Sequence, residues 1–234
     1  KLFKIGNIPE GMVYVEGYGK ELADNFLIEK HGFFIDRFEV TNKQFKEFVD
    51  EGGYVKPDYW NNPFIKDGKT LTWEEAMIHF KDKTGRPGPA TWVAGYYPDG
   101  QDDYPVSGVS WYEAAAYAEF AGKSLPTRSH WRSAVGYPIS YIGDHLNSSL
   151  IPLSNFNHKA PKSVYKSHGI SCFGAYGMAG NVREWCYNIS SKGEHVISGG
   201  AYDDVSYMSS NISQLPPFDR SPMNGFRCAK YIDK

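Results

Sequence analysis

The chain has 234 residues, 41% of them hydrophobic and 22% charged, which is enough to bury a full core as one domain. Its 25 basic and 27 acidic residues give a formal net charge of −2, so there is no basic surplus for nucleic acid to bind. No run of about 18 apolar residues is present, so the sequence predicts no membrane span. Aromatic residues at 16%, with 24 glycines and 14 prolines, favour short elements joined by shaped loops over a helical bundle.

Four helices are predicted from their N-terminal caps. The capping residues are Thr41, Thr72, Ser110 and Thr127. Gln44, Glu75 and Glu113 stand three residues after the first three caps, which is the spacing of a capping box. Gly53 and Gly122 follow the first and third apolar patterns and are expected to end those helices, because glycine adopts the left-handed conformation found at helix C-termini.

Strands are predicted where apolar and polar residues alternate. They are at 12–15, 33–40, 181–187, 195–200 and 225–232. Segments rich in Gly, Pro, Asn, Ser and Tyr predict long loops at 54–71, 85–109 and 136–176, and such loops are usually functional surfaces or are held by bound ions. Because helices dominate the first half and strands the second, we expect an α+β domain rather than alternating βαβ units.

Common catalytic and metal-binding motifs are missing from the sequence. The seven histidines show no HExxH spacing, and the acidic stretch PDGQDDYP at 98–105 lacks the EF-hand spacing. The three cysteines, Cys172, Cys186 and Cys228, are too few for a disulfide scaffold. Neither a reaction nor a cellular compartment follows from these patterns.

Several unusual segments occur together and in a fixed order. They are GMVYVEG, IDRFEVTNKQFKEFV, YPVSGVSWYEAAAYAEFAGKSLPTRSHW, GAYGMAGNVREWC, ISGGAY and NGFRCAKY. In this order they resemble the signatures of the formylglycine-generating enzyme family, also called the sulfatase-modifying-factor domain, and the single domain so identified covers 1–234. The resemblance implies an α+β, elaborated C-type-lectin-like fold with little regular secondary structure, long loops, and calcium ions bound within those loops.

Three further segments point to a sub-group of that family. They are GRPGPATW, YPDGQDDYPVSGVSW and PPFDRSPMNGFRC, and they resemble modules of bacterial multidomain signalling proteins that often stand beside a serine/threonine kinase. We therefore expect the sequence to be part of a longer bacterial protein, extracytoplasmic or cytoplasmic, with other domains of that chain as its neighbours.

The resemblance also implies two calcium sites. The residues at the first family site are Asn155, Phe156, Ser163 and Tyr165, and those at the second are Gly180, Val182 and Glu184. Gly177 stands where the family usually has a side-chain oxygen, and Ser163 where it can have Asp, so weak calcium binding is expected. The alternative is that Glu184 pairs with a nearby arginine or accepts from backbone donors, while the glycines shape a turn.

The catalytic thiols of the family provide the decisive comparison. Members that oxidise a substrate cysteine to formylglycine bind copper between two cysteines, because thiolates select Cu(I). Asp204 and Ser209 stand at those two positions, and Ala201 stands where active members carry serine. Oxygen ligands suit Cu(I) poorly, so we expect neither copper nor the oxidase activity. Cys186 and Cys228 form either a disulfide or two buried free thiols.

What remains is a lectin-like scaffold with a candidate ligand groove. The residues expected to line or flank it are Trp92, Tyr96, Trp111, Tyr202, Asp203, Asp204, Tyr207 and Arg227. Aromatic walls with few charges suit a peptide, a glycan or a small molecule, although Trp111, Trp131 and Trp185 are alternatively core residues. The sequence thus predicts a non-catalytic ligand-binding or sensing module, and the alternative is a divergent oxidase that acts on protein cysteine.

Overall fold

The computed structural model of the chain describes residues 8–17, 20–23, 26–29, 31–136, 150–206 and 212–232. The helices in this part are α1 (Asn42–Asp50), α2 (Trp73–Met77), α3 (Trp111–Phe120) and α4 (Arg128–Val135). The strands are β1 (Met12–Val15), β2 (Lys20–Ala23), β3 (Phe26–Glu29), β4 (Phe33–Asp36), β5 (Ile65–Lys66), β6 (Lys69–Thr70), β7 (Arg183–Ile189), β8 (His195–Ser198), β9 (Ile212–Leu215), β10 (Asn224–Gly225) and β11 (Ala229–Tyr231). Short helices, short strands and long connections confirm the α+β, lectin-like architecture.

All four helices begin at the predicted caps. Thr41, Thr72 and Ser110 each accept a hydrogen bond from the backbone three residues on and form complete capping boxes. Thr127 caps α4, which ends at Gly136 in the left-handed conformation with φ of 94°. These local devices fix the helix ends because each satisfies backbone groups that the helix itself leaves unpaired.

The sheets combine strands from both ends of the described chain, which confirms the predicted strand at 12–15 and the start of the one at 33–40. β1 and β11 both pair antiparallel with β4, so the first and last strands of the chain belong to one three-stranded sheet. A second sheet has the order β10, β7, β8, β9, in which β10 runs parallel to β7. Strands therefore precede and follow the helices in sequence, and β4 lies between β1 and β11, with backbone hydrogen bonds to both.

The segment predicted as one strand at 225–232 is divided between the two sheets. β10 lies beside β7, and β11 lies beside β4. Between them the carbonyl of Phe226 accepts from Val40 N at 3.0 Å, and the carbonyl of Cys228 accepts from Asp36 N at 2.8 Å. The predicted strand at 33–40 likewise ends at Asp36, because the backbone beyond it pairs with this crossing segment.

Two buried clusters form the core. An aromatic cluster surrounds α1 and α3 and includes Phe45, Phe48, Trp60, Phe80, Trp92, Tyr117, Trp185 and Phe226. A smaller aliphatic cluster packs the three-stranded sheet against α4 and includes Val15, Ile35, Trp131, Met178 and Cys186. Trp111, Trp131 and Trp185 are all buried, which confirms the prediction that they are core residues. Among the residues described, none of the helices has the length and apolarity that crossing a bilayer requires.

A buried ion pair ties the long loops to α3. Arg220 donates two hydrogen bonds to the two carboxylate oxygens of Glu113, each 2.9 Å long. The same guanidinium also donates to the carbonyls of His79, Lys81 and Gly88. Loops of little regular structure are thus held by charge-assisted hydrogen bonds from one side chain.

Candidate functional site

Strand β7 separates two environments, because successive residues of a strand point to opposite faces. The strand begins after a turn in which Gly180 and Asn181 both have positive φ, 77° and 65°. Glycine is required at 180, since a Cβ there would lie 2.6 Å from the carbonyl oxygen of Asn155. Arg183 then faces a partly open surface and Glu184 faces the interior.

On the partly open side lies Asp204, the residue at which the family resemblance implies the first thiolate. Its Oδ1 accepts from Nη2 of Arg183 at 2.7 Å, and its Oδ2 accepts from Nε of Arg183 at 3.1 Å. Oδ2 also accepts from the backbone N–H of Ala201 at 2.7 Å. The carboxylate is therefore held as a bidentate partner of a guanidinium, and the neighbouring Tyr207 and Ser209 lie outside the described residues.

The cysteines do not replace the missing thiolates. All three lie in the described part of the chain and are free thiols, so Cys186 and Cys228 do not form the disulfide that the sequence left open. Both are buried, and burial raises the pKa of Cys186 to about 12 and that of Cys228 well above its ordinary value. A protonated, buried thiol is a poor nucleophile and metal ligand. Cys172 is exposed in a loop.

On the interior side, Glu184 pairs with Arg227, as the alternative interpretation of the sequence anticipated. Nη2 of Arg227 donates to Oε1 at 2.7 Å and Nε donates to Oε2 at 2.7 Å, while Nε1 of Trp131 also donates to Oε2 at 2.7 Å. Arg227 is fully buried, which corrects the expectation that it flanks a surface groove. Both oxygens of the glutamate are occupied by cationic or indole donors.

A second buried acid, Glu39, lies beside this pair. Its Oε1 accepts from Nδ2 of Asn181 at 2.9 Å, whereas its buried Oε2 has no hydrogen-bond partner within the described ranges. Burial raises the pKa of Glu39 to about 7, against the opposing attraction of Arg227. A Cβ at Gly177 would lie 2.7 and 2.8 Å from the two Glu39 oxygens, so this carboxylate explains why only glycine fits there.

The residues at the second family calcium site do not fit a calcium ion. Gly177 offers no side-chain oxygen, and a guanidinium already neutralises the carboxylate of Glu184. A calcium ion needs about six or more oxygen ligands, and a cation in contact with the principal ligand opposes its entry. Across the residues described, no group of three or more His, Cys, Asp or Glu side chains is placed to hold a metal. Gly180 instead allows the turn before β7, and Val182 is a buried residue immediately before that strand.

The oxygens at the first family calcium site are neutral and partly free. Asn155 is buried, and its Nδ2 donates to the carbonyl of Ala160 and to Oδ1 of Asn181. Its Oδ1 meets no hydrogen-bond donor in the described part of the chain. Ser163 is buried, and its Oγ accepts a long 3.4 Å hydrogen bond from Tyr165 N, while Phe156 is buried and Tyr165 is exposed. Neutral side-chain oxygens of this kind are ligands that calcium accepts, and a ligand set without a carboxylate binds the ion weakly.

A cavity of about 140 Å³ opens beside Tyr202, and we name it the Tyr202 cavity. Its polar lining comes from Asn42, Thr91, Gln101, Ser107 and Tyr202, and four prolines complete the wall. Trp92 does not line it, which corrects the expectation of an exposed tryptophan. Its ring is fully buried, and its Nε1 donates to Oδ1 of Asn42 at 3.2 Å, so Trp92 positions an amide that faces the cavity.

The other residues of the predicted groove are not brought together. Tyr96 is exposed and lies under Nζ of Lys46, 4.5 Å from the ring centre, away from the cavity lining. Asp203 is exposed, and Trp111 is buried beside His195 in another part of the fold. The sequence analysis gives no role to Arg183, Asn42 and Glu39. The alternation of residues along the strand around Glu184 could have indicated Arg183, whereas the positions of Asn42 and Glu39 depend on tertiary packing.

Comparison with known proteins now decides the family. The model of the sulfatase-modifying factor enzyme 1-like domain matches residues 6–232. The chain belongs to this family. The serine/threonine-protein kinase pkn1 of Chlamydia caviae is 29% identical over 253 residues, which cover 95% of this chain and 37% of the kinase. The formylglycine-generating enzyme of Mus musculus is 27% identical over 248 residues, covering 85% of this chain and 66% of the enzyme.

The structural comparison agrees with this membership of the sulfatase-modifying-factor family. The crystal structure of CarF superposes with a TM-score of 0.62 at 19% identity and covers 96% of this chain and 99% of CarF. At that identity the likeness concerns the fold alone. The chain spans little more than a third of the length of the kinase that it resembles, so the family scaffold is shared by proteins of different size and named activity.

Proposed function

We propose that this chain is a non-catalytic ligand-binding or sensing module on a formylglycine-generating-enzyme-like scaffold, working as one domain of a longer bacterial protein. The observation that carries the proposal is the state of Asp204. Arg183 and the N–H of Ala201 hold its carboxylate, at the position where the family resemblance implies a copper thiolate. Two properties therefore oppose copper binding at this position. The soft thiolate ligands are missing, and the neighbouring guanidinium repels a metal cation.

The proposal is tested by copper binding and by peptide oxidation. The chain is incubated with Cu(I) and a Cys-x-Pro-x-Arg peptide, with the mouse formylglycine-generating enzyme as the positive control. We expect no aldehyde by mass spectrometry and no copper retained after dialysis. Aldehyde in the peptide, or copper bound one to one, would overturn the proposal and favour the divergent oxidase that acts on protein cysteine.

The Tyr202 cavity is the ligand site of this proposal. Its described lining contains amides, hydroxyls and one phenol ring but no charged side chain, which suits a neutral ligand rich in hydroxyl or amide groups. The segment 155–165 is joined to it by hydrogen bonds, because Asn157 N and His158 N donate to the carbonyls of Asp204 and Tyr202. Pro161 of this segment lines the cavity, so a ligand there would contact the segment for which a calcium ion is proposed below.

The ligand site is tested with N-acetylglucosamine and with a glycyl-proline dipeptide as probes, followed by ligand-observed NMR. Tyr202→Ala is expected to weaken binding about tenfold or more, because one aromatic wall of the cavity is removed. Tyr96→Ala removes an exposed tyrosine outside the cavity and serves as the matched control. Equal binding by both variants, or no binding of either probe to the unaltered chain, would argue against this location.

We further propose one weak calcium ion at Asn155, Phe156, Ser163 and Tyr165. The unpartnered Oδ1 of Asn155 supports it, and the neutral ligand set limits its affinity. Ser163→Asp adds a carboxylate and is expected to tighten calcium binding about tenfold or more, seen as a larger calcium-dependent rise in melting temperature. Ser191→Asp, on an exposed hairpin, controls for added charge. A melting temperature unaffected by calcium in both the unaltered chain and Ser163→Asp would reject the site.

A further inference from the structure

A second cavity lies beside strands β7 and β8, and it shares no lining residue with the Tyr202 cavity. We name it the Trp111 cavity, and its volume is about 170 Å³. Most of its described lining is aromatic or aliphatic, and the main members are Ile65, Trp111, Tyr112, Tyr187, Ile189 and Pro217. Its composition therefore differs from the polar lining of the Tyr202 cavity.

The cavity lies where the pairing of β7 with β8 is irregular. The two strands pair at Trp185 with Ile197 and again at Ile189 with His195, and the register shifts between these points. Within the irregular part, the backbone N–H of Tyr187 donates to the carbonyl of Pro126 at 2.9 Å. The side chains of Tyr187 and Ile189 are 55% and 61% exposed, so the apolar lining can be reached from solvent.

The polar atoms of the two aromatic residues from α3 are already bonded within the protein. Nε1 of Trp111 donates to the carbonyl of Cys186 at 3.0 Å. The hydroxyl of Tyr112 accepts from Ile65 N at 2.8 Å and donates to the carbonyl of Pro63 at 3.2 Å. These side chains consequently offer a ligand their ring surfaces rather than a hydrogen bond, which favours an apolar ligand.

The lining also carries no charge at neutral pH. Its described part contains no Lys, Arg, Asp or Glu. The ring of His195 stacks on Trp111 with centroids 3.7 Å apart, and burial lowers the pKa of this histidine to about 4, so it is uncharged near pH 7. A charged ligand would lose part of its hydration here without gaining a counter-charge.

Size and lining together select the ligand. An apolar cavity of about 150 Å³ holds one benzene molecule, so a cavity of this volume takes one six-membered ring with a small substituent. We propose that the Trp111 cavity binds a small uncharged molecule with a single hydrophobic ring, which packs against Trp111, Tyr112 and Ile189. This site is independent of the one proposed at the Tyr202 cavity.

The proposal is tested with toluene and benzoate, which have one ring each and differ in charge. In a methyl-detected NMR titration, toluene is expected to shift the resonances of Ile65 and Ile189 but not that of Ile78, which is exposed and outside the cavity. Benzoate is expected to bind at least tenfold more weakly, because the described lining has no group to replace the water around its carboxylate. Equal affinities, or no shift at Ile65 and Ile189 near saturating toluene, would overturn the proposal.

Protonated benzylamine is a third compound, and it tests whether the aromatic rings bind a cation instead. A cation can be attracted to the face of an aromatic ring, so the lining by itself leaves this outcome open to measurement. We expect benzylamine to bind as weakly as benzoate at pH 7. Binding tighter than that of toluene would identify a cation site and would also overturn the proposal.

Two variants at exposed positions test the location. Tyr187→Ala removes an aromatic wall, and Ile189→Asp places a carboxylate in the apolar lining, so each should weaken toluene binding about tenfold or more. Tyr96→Ala and Ile78→Asp make the same changes at positions that are exposed and outside the cavity, and they should bind as the unaltered chain does. Melting temperatures identify the folded variants, and unchanged toluene binding by a folded Tyr187→Ala or Ile189→Asp would refute the location.

Discussion

Arg183 and Glu184 are consecutive on β7, and each forms a bidentate acid–arginine pair on its own face of the strand. The pair of Arg227 with Glu184 is fully buried and has a further indole donor, whereas the pair of Arg183 with Asp204 is partly solvated. Both pairs stand at positions where the family resemblance implies a metal. The same kind of charge pair thus has two different environments, because one pair is buried within the scaffold while the other lies at a partly solvated surface.

The largest expected effect comes from breaking the buried pair. Glu184→Gln removes the carboxylate that Arg227 contacts at 2.7 Å and leaves the more distant Glu39, at 3.9 Å, beside the buried guanidinium, which is expected to lower the free energy of unfolding by about 3–5 kcal/mol. Urea denaturation measures this loss, and Glu119→Gln, at an exposed acid of α3, should change stability by less than about 0.5 kcal/mol. We expect the same loss with and without calcium. If excess calcium restored the stability of Glu184→Gln, calcium rather than Arg227 would be the cation that pairs with residue 184.

The turn between the two faces is expected to give the next largest effect. Asn181 holds a positive φ of 65°, and its side chain bonds Glu39, Asn155 and Lys162. Asn181→Ala loses these bonds in a conformation that alanine adopts poorly, so we expect a loss of about 2–4 kcal/mol in urea denaturation. Asn181→Gly relieves only the backbone strain and should recover a minor part. Full recovery by glycine would mean that the side-chain bonds contribute little.

The solvated face is expected to respond more weakly. Asp204→Asn keeps the shape of the side chain but removes its charge, and we expect a loss of about 1 kcal/mol because the pair is partly solvated. The difference from the unaltered chain should shrink in about 1 M salt, where the Debye length is near 3 Å. Asp203→Asn, at the exposed neighbouring position, is the matched control. If Asp204→Asn lost as much stability as Glu184→Gln, the solvated and the buried ion pairs would contribute equally, contrary to this prediction.

A pH dependence, which vanishes at neutral pH and grows on acidification, is expected from the adjoining strand β8. Burial lowers the pKa of His195 to about 4, whereas a histidine in the unfolded chain titrates near 6.5. The unfolded chain therefore binds a proton first, and the contribution of His195 to stability is complete above about pH 6.5 and is lost as the pH falls towards 4. Urea midpoints from pH 7 to 4.5 should fall less steeply for His195→Phe than for the unaltered chain. Identical slopes would contradict the assignment.

The helices were accessible from the sequence because their signals are local. A capping residue and its partner three positions later satisfy backbone groups within one turn, so Thr41, Thr72 and Ser110 could be read directly. The presence of the strands could be predicted from the sequence, but their first and last residues could not be predicted equally well. The alternation at 225–232 continues through a segment that changes sheets, and only the pairing with β7 and then β4 decides where each strand ends.

The candidate site was only partly accessible for the same reason. The family resemblance implies a thiolate position at Asp204, and the sequence allows an arginine partner for Glu184, but neither gives Arg183 a role. Trp92 was expected at the surface, and it is buried because the aromatic cluster surrounds it and Asn42 satisfies its indole N–H. Gly177 was recognised as a departure, yet its cause, the carboxylate of Glu39, comes from a residue more than a hundred positions earlier.

The sequence by itself determined the family, the α+β class, the helix caps and the absence of thiolates at Asp204, since residue types and short spacings carry these properties. Only the tertiary structure decided which charges are buried together, which oxygens are left free at Asn155, and that two separate cavities exist. Burial and pairing depend on segments that are distant in the chain, and the cost of placing a charge or an acceptor out of water is set by those neighbours rather than by the residue itself.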